Sequence, residues 1–219
     1  MLQWKICGMR DATNISAVAS LSPHFMGFIF YENSKRFVGQ NWQMPYLSRQ
    51  IQKVGVFVNE TSENIASIAQ KYALDYLQLH GEESPEFCER LKQKLHLPIV
   101  KAFGVGQGFE FSNLEPYLPC VDAFLLDTQG KERGGNGIAF DWQILQSYPY
   151  SKPLWISGGI SLENSLVLFE FLQQKPQIPV QVIDLNSRFE IEPALKDVEK
   201  LKTWKTAIFE PFCQTINET

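Results

Sequence analysis

Two residues that could move protons stand at the ends of short apolar segments. Residues 2–6 lead into Cys7 and Gly8, and residues 122–127 end in Asp127. Two such side chains could form a general acid/base arrangement, in which one group gives a proton and the other takes one. Lys5 is a nearby cation that would favour the thiolate by lowering the thiol pKa. The alternatives are a buried inert thiol at Cys7, and a helix cap or loop ion pair at Asp127.

Two further segments could bind a phosphate group. Residues 157–160 read Ser-Gly-Gly-Ile and run into a predicted helix start at Ser161, and residues 184–188 read Asp-Leu-Asn-Ser-Arg. Backbone N–H groups at Gly158 and Gly159 can approach an anion closely, and a helix N-terminus adds favourable partial charge. Asn186 and Ser187 follow the neighbouring strand and would form the other side of the phosphate site. The alternative is that the glycines only form a tight turn.

The elements that must position these residues recur along the chain as short apolar runs, spaced at roughly 20 to 30 residues. Helix-like stretches separate several of them, at residues 62–73, 84–95 and 161–174, and an amphipathic stretch covers residues 194–209. The apolar runs are residues 2–6, 25–30, 53–58, 75–79, 98–103, 122–127, 153–157 and 180–185.

Eight continuous apolar strands alternating with helices predict an α/β fold with a parallel sheet buried on both faces. Eight such units in 219 residues fit a single-domain (β/α)8 TIM barrel covering residues 1–219. An open doubly wound sheet is the alternative, but it usually has five or six strands. In the barrel the active site lies where the strands end, and the loops after strands 7 and 8 are the usual phosphate site.

Composition narrows the function classes. The net charge of −4 argues against a nucleic-acid partner, which favours a basic patch. No apolar run approaches the about 20 residues that cross a bilayer, and the N-terminus does not read as a secretory signal, so we expect a cytoplasmic protein with no membrane contact. The four cysteines are scattered, which predicts neither a disulfide framework nor a metal site.

The chain resembles the phosphoribosylanthranilate isomerase family of tryptophan biosynthesis in a series of segments that span residues 3 to about 200. These segments, in order, are KICG, GFIF, NSKRFV, KVGVFVN, LQLHG, LLDT, GGNG, FDW, SGGI and DLNSRFE. The resemblance implies an Amadori rearrangement of N-(5-phosphoribosyl)anthranilate to 1-(2-carboxyphenylamino)-1-deoxy-D-ribulose 5-phosphate. It implies an aldose–ketose isomerase with a phosphosugar substrate and no metal or organic cofactor.

The resemblance also implies roles for single residues. Cys7 would be the general base and Asp127 the general acid. Arg36 would bind the substrate carboxylate with its planar fork, the alternative being a surface arginine paired with Glu32 or solvent. His80 would line the site or make a structural hydrogen bond. The other residues implied are Asp184 for the substrate, and Gly135 and Gly137 for the phosphate.

Two other functions stay open on sequence alone. One is a different phosphosugar enzyme on the same barrel, and the other is a barrel that binds a phosphorylated metabolite without catalysis. The presence of both Cys7 and Asp127 argues against the second. We expect a monomer, with a homodimer as the alternative.

Overall fold

The structure is a computed structural model that describes residues 2–128 and 141–217. Eight parallel strands close into a barrel in chain order, with the first strand pairing with the eighth. This confirms the (β/α)8 barrel over the open sheet, and each predicted run overlaps one strand. The prediction that residues 1–219 form a single domain also covers residues that the structure does not describe, so it stays a prediction. The strands are β1 (Gln3–Ile6), β2 (Phe25–Ile29), β3 (Gln52–Phe57), β4 (Tyr76–Leu79), β5 (Ile99–Val105), β6 (Ala123–Thr128), β7 (Leu154–Ile156) and β8 (Val180–Leu185).

Helices pack around the barrel, and the helices predicted at 62–73, 84–95 and 161–174 are confirmed. Ser84 caps the second of these, because its hydroxyl accepts a hydrogen bond from the Phe87 N–H at 3.2 Å. The α-helices are α1 (Ala12–Ala19), α2 (Ser62–Tyr72), α3 (Pro85–Leu95), α4 (Leu162–Gln174), α5 (Val198–Trp204) and α6 (Glu210–Asn217). Shorter elements are 3₁₀ helices at Phe111–Tyr117, Trp142–Ser147 and Ser187–Phe189, and a π-helical turn at Lys205–Phe209.

The connection from β2 to β3 departs from the strand–helix pattern. Residues 31–51, all of which the structure describes, contain no helix. The loop instead folds back on β2, where Phe37 bridges to Ile29 and the Val38 N–H donates to the Ile29 carbonyl at 3.1 Å. This contact holds Arg36 at the carboxyl end of the barrel.

Every second residue of each strand faces the barrel axis. In the lower part these residues are apolar, and the rings of Phe25 and Trp155 pack with centroids 4.9 Å apart. The same alternation, continued toward the carboxyl ends, brings the buried polar residues Lys5, Gln78 and Asp184 into one layer. The next inward positions are Cys7, His80, Asp127 and Asn186, which form the mouth.

A short antiparallel hairpin follows the eighth strand. It consists of β9 (Glu190–Glu192) and β10 (Leu195–Lys196), and it buries Lys196 beside the mouth. Within residues 2–128 and 141–217, the helices are all too short or too polar to span a bilayer.

Candidate active site

A cleft opens at the carboxyl ends of the strands. It brings together every predicted site residue that the structure describes. Gly135 and Gly137 lie outside the described residues. The predicted residues that line the cleft are Cys7, Arg36, His80, Asp127, Gly158, Gly159, Asp184, Asn186 and Ser187.

Cys7 lies at the end of β1 and is 4% exposed. Its N–H donates to the Leu185 carbonyl at 2.9 Å, which continues the β1–β8 pairing by one residue and keeps the side chain pointing inward. Gly27 leaves space for the Cys7 side chain, because a Cβ at position 27 would lie only 2.7 Å from Cys7 Sγ. Burial raises the pKa of the Cys7 thiol, while Lys5 and Lys196 oppose that rise. Lys5 thus acts in the expected direction, but burial outweighs it and the Cys7 pKa lies above its ordinary value.

A buried ion pair lies beneath Cys7. Lys5 and Asp184 are paired in the β1–β8 register, with 2.7 Å between Lys5 Nζ and Asp184 Oδ2. Burial disfavours the lysine charge, but the carboxylate of Asp184 together with Cys7 raises the Lys5 pKa overall, so Lys5 stays a cation. Among the described residues, Asp184 Oδ1 is buried without a hydrogen-bond partner. The cleft floor therefore offers one free acceptor.

Asp127, at the end of β6, is held from two sides. Its Oδ1 accepts a hydrogen bond from the Thr128 N–H at 2.9 Å, and its Oδ2 lies 3.5 Å from His80 Nε2. Gly158, with φ of +84°, packs against the carboxylate, and a Cβ there would lie 2.6 Å from Asp127 Oδ1. His80 Nδ1 lies 2.9 Å from Gln78 Nε2. His80 thus does both things expected of it, since it lines the cleft and makes a hydrogen bond.

Arg36 pairs with a residue that sequence reasoning did not identify. Its Nε and Nη2 atoms donate to the Glu190 carboxylate, at 2.9 Å to Oε1 and 2.6 Å to Oε2. The alternative pairing with Glu32 is wrong, because Glu32 instead accepts from Gln40 at 3.2 Å. Arg36 still lines the cleft, so Glu190 holds it there.

Glu190 also accepts from Lys196 Nζ at 2.6 Å. Burial would raise the Glu190 pKa, but its bonds to Arg36 and Lys196 lower it overall. Burial lowers the Lys196 pKa to about 8 despite the attraction of Glu190. Lys196 Nζ donates as well to Asn186 Oδ1 at 2.7 Å, and this bond orients Asn186 at the mouth.

The two predicted phosphate loops face the same cleft. Gly158 and Gly159 have φ of +84° and +64°, a region that favours glycine. Asn164 in α4 holds this loop, because its side chain accepts from the Ser161 N–H and donates to the Gly159 carbonyl, both at 2.8 Å. Opposite, Ser187 starts the short 3₁₀ helix after β8. The backbone of both loops can therefore approach one anion.

Sequence reasoning missed Gln78, Glu190 and Lys196. Gln78 had a detectable signal, because an amide side chain inside the apolar strand Tyr76–Leu79 must find buried partners. Glu190 had no comparable signal for its pairing with Arg36, because the two residues are 154 positions apart in the chain. Lys196 lies in the two-residue strand β10, which is too short to show a pattern in the sequence. Among the described residues, no group of three or more His, Cys, Asp or Glu could hold a metal ion.

Comparisons with known proteins agree on one family. The family model described as N-(5'-phosphoribosyl)anthranilate (PRA) isomerase matches residues 4–206. Proteins named N-(5'-phosphoribosyl)anthranilate isomerase match from Parabacteroides distasonis, 46% identical over 96% of this chain and 95% of the relative, and from Phocaeicola vulgatus, 40% identical over 91% and 94%.

Solved structures agree with the sequence relatives. Phosphoribosyl anthranilate isomerase from Thermotoga maritima is 29% identical with a TM-score of 0.77, covering 94% of this chain and 98% of that one. A phosphoribosyl anthranilate isomerase in complex with reduced 1-(o-carboxyphenylamino)-1-deoxyribulose 5-phosphate is 28% identical with a TM-score of 0.75, at the same coverage.

Proposed function

The chain belongs to the N-(5'-phosphoribosyl)anthranilate isomerase family, and we propose that Cys7 and Asp127 are the base and the acid of its reaction. The enzyme acts in tryptophan biosynthesis and converts an aminoaldose phosphate into an aminoketose phosphate. The alternatives of another phosphosugar enzyme and of a non-catalytic barrel are set aside by this membership. The observation that carries the proposed roles is that both side chains line one cleft, at the ends of β1 and β6.

In the proposed first step, Asp127 donates its proton to the ring oxygen of the substrate. The bond between that oxygen and C1 breaks, and the lone pair of the anthranilate nitrogen forms a C=N bond with C1. Hydrogen bonding from Thr128 N–H fixes one carboxyl oxygen, which leaves the His80 side of the group facing the cleft. A carboxyl held in this way can reach a bound ring without first rotating.

In the second step, the Cys7 thiolate takes the proton from C2. The C–H electrons form a C1=C2 bond while the C=N electrons return to nitrogen, which gives an enolamine. The enol oxygen then loses its proton and C1 gains one, so that C2 ends as a ketone and C1 as a CH₂ group. Lys5 and Lys196 are the cations that favour the thiolate against burial.

Three sets of residues would anchor the substrate. The phosphate would lie between the glycine loop at Gly158–Gly159 and the loop at Asn186–Ser187, bound mainly by backbone N–H groups. Arg36 would bind the anthranilate carboxylate. Asp184 Oδ1, the free acceptor at the cleft floor, would take a hydrogen bond from a substrate hydroxyl. This arrangement keeps the reacting carbons between Cys7 and Asp127.

The reaction as written uses only side chains of the protein, so we propose that it needs no metal or organic cofactor. We also propose a phosphosugar as the only small-molecule partner, a cytoplasmic location and a monomer. A Thermotoga maritima relative, 26% identical, is described as a dimeric phosphoribosylanthranilate isomerase from which monomers were generated. Sedimentation equilibrium of the purified protein distinguishes the two assemblies for this chain.

The roles are tested by following the loss of substrate fluorescence with purified Cys7→Ala and Asp127→Asn variants. We expect each to lower kcat by at least about 100-fold, the low end for a general acid or base. Circular dichroism and thermal unfolding of both variants check the fold. A correctly folded variant that keeps near-normal kcat would remove that residue from the proposed chemistry.

A further inference from the structure

Gln78 lies at the inward position of β4 directly below the mouth, and the orientation of its amide follows from its neighbours. Lys5 Nζ lies 2.8 Å from one end of the amide. An ammonium group only donates, so this end is the oxygen Oε1. Lys5 and Gln78 are 0% and 1% exposed, so water does not compete for these contacts. The amide nitrogen Nε2 must therefore face His80.

The orientation of Gln78 in turn determines which nitrogen of His80 carries the proton. Gln78 Nε2 lies 2.9 Å from His80 Nδ1, and an amide nitrogen only donates. Nδ1 must therefore accept, and the neutral imidazole holds its hydrogen on Nε2. His80 Nε2 lies 3.5 Å from Asp127 Oδ2, so Asp127 is the carboxylate beside this N–H group. The ion pair of Lys5 with Asp184 anchors the whole series of contacts.

We propose that Gln78 is a positioning residue of the isomerase, which holds His80 in the Nε2–H tautomer so that it donates to Asp127. The inference rests on the proposed role of Asp127 as the acid. When Asp127 gives its proton away, a negative charge develops on its carboxylate, and a preset N–H donor stabilises that charge. The other tautomer would place a nitrogen lone pair against the carboxylate and would slow the first step.

The main test is Gln78→Glu, because glutamate keeps the acceptor for Lys5 but cannot donate to His80. Its second oxygen would accept from Nδ1 and so pull the proton onto that nitrogen. Nitrogen-15 NMR of histidine-labelled protein reports the protonated ring nitrogen, with His80→Asn used to assign the signal. We expect protonated Nε2 in the wild type and protonated Nδ1 in Gln78→Glu. Protonated Nδ1 in the wild type, or no change in the variant, would overturn the proposal.

Kinetics provide the second readout. We expect Gln78→Glu to lower kcat by at least about tenfold while KM stays within about twofold, because the lost interaction forms only as the acid reacts. Gln78→Met, which buries no new charge, removes both hydrogen bonds and should give a mixed tautomer and a smaller loss. Gln181→Glu makes the same change at an exposed position of β8 and should leave kcat unchanged.

The outcomes separate this inference from the proposed function. If Asp127→Asn keeps near-normal kcat, the role of the acid itself fails. If Asp127→Asn is inactive while correctly folded Gln78→Glu and Gln78→Met both keep the wild-type kcat, only the positioning role of Gln78 fails. Activity lost in Gln78→Glu with an unchanged tautomer of His80 would assign Gln78 to the fold or to Lys5 instead, and the proposal would be dropped.

Discussion

Glu190 holds Arg36 at the mouth of the barrel by a two-point ion pair, although the two residues are 154 positions apart in the chain. The contacts engage one edge of the guanidinium, through Nε and Nη2. In a planar guanidinium the hydrogens on Nη1, and the second hydrogen on Nη2, point away from that edge. Glu190 therefore orients Arg36 and, as far as residues 2–128 and 141–217 are concerned, leaves the outer end of its guanidinium open to an anionic ligand.

The first prediction concerns this free end. Arg36→Met should lower kcat/KM for the anthranilate substrate. The fall should correspond to a loss of about 1.5–3 kcal/mol of transition-state stabilisation, the range for a hydrogen bond to a charged group. It should barely change the binding of a ribulose phosphate that lacks the aromatic ring. Steady-state kinetics and calorimetry measure the two effects. Lys35→Met removes a neighbouring exposed cation as the control. Equal losses for both ligands would assign Arg36 to the phosphate or the fold.

The second prediction concerns the environment of the thiol. Asp184 raises the Cys7 pKa and Lys5 lowers it, so Asp184→Asn removes a charge that disfavours the thiolate. The Cys7 thiolate also raises the Lys5 pKa, so without Asp184 it is the anion that remains beside the Lys5 ammonium. The pH at which Cys7 ionises should therefore fall. The ultraviolet absorbance of the thiolate follows the titration, and the Cys7→Ala variant of each protein provides the contribution of the other cysteines, which is subtracted. Cys88, whose pKa burial raises to about 12, should not contribute below that pH.

Glu192→Gln serves as the control for the second prediction, because it removes one negative charge at an exposed position of the hairpin. It should leave the pKa of the Cys7 thiol unchanged. A Cys7 pKa that stays constant or rises in Asp184→Asn would contradict the account of the thiol environment.

The third prediction concerns the close packing of Gly158 against the acid. Gly158→Ala places a Cβ 2.6 Å from Asp127 Oδ1 and forces a side chain into φ of +84°. Strain of this kind costs about 1–3 kcal/mol of stability. Displacement of Asp127 should in addition lower kcat by at least about tenfold. Chemical denaturation and steady-state kinetics measure the two effects.

Gly108 is the matched control for Gly158, since it has φ of +79° but nothing within 4 Å of a built Cβ. Gly108→Ala should lose stability through the same backbone strain and keep its kcat. If Gly158→Ala lost stability and kept full activity, the contact between Gly158 and Asp127 would have no part in catalysis.

The fourth prediction concerns the phosphate loops. Inorganic phosphate should inhibit competitively, and a crystal grown in sulfate should show an anion between the Gly158–Gly159 loop and the Asn186–Ser187 loop. The reason is that two backbone segments with small residues face one cleft beside a helix N-terminus. Uncompetitive inhibition, or sulfate density only outside an open cleft, would argue against this site.

Much of the architecture could be predicted because its signals are local. Apolar runs with strand length predict buried parallel strands wherever they occur in the chain, and Ser84 followed by Pro85 predicts a helix start from neighbouring residues alone. The residues that end the strands could be named as site candidates, since a barrel gathers the carboxyl ends of its strands at one face. The loop that carries Arg36 departs from the predicted alternation of strands and helices, since residues 31–51 contain no helix.

The sequence by itself thus determined the eight strands and which side chains each delivers to the mouth, because alternation along a strand is a local property. Only the tertiary structure decided which of them meet. Lys5 contacts Gln78 across 73 residues and Asp184 across 179, contacts that exist only because β1 closes the barrel against β8. The direction of the Cys7 pKa shift likewise depends on burial weighed against two lysines, and burial arises only when the barrel closes.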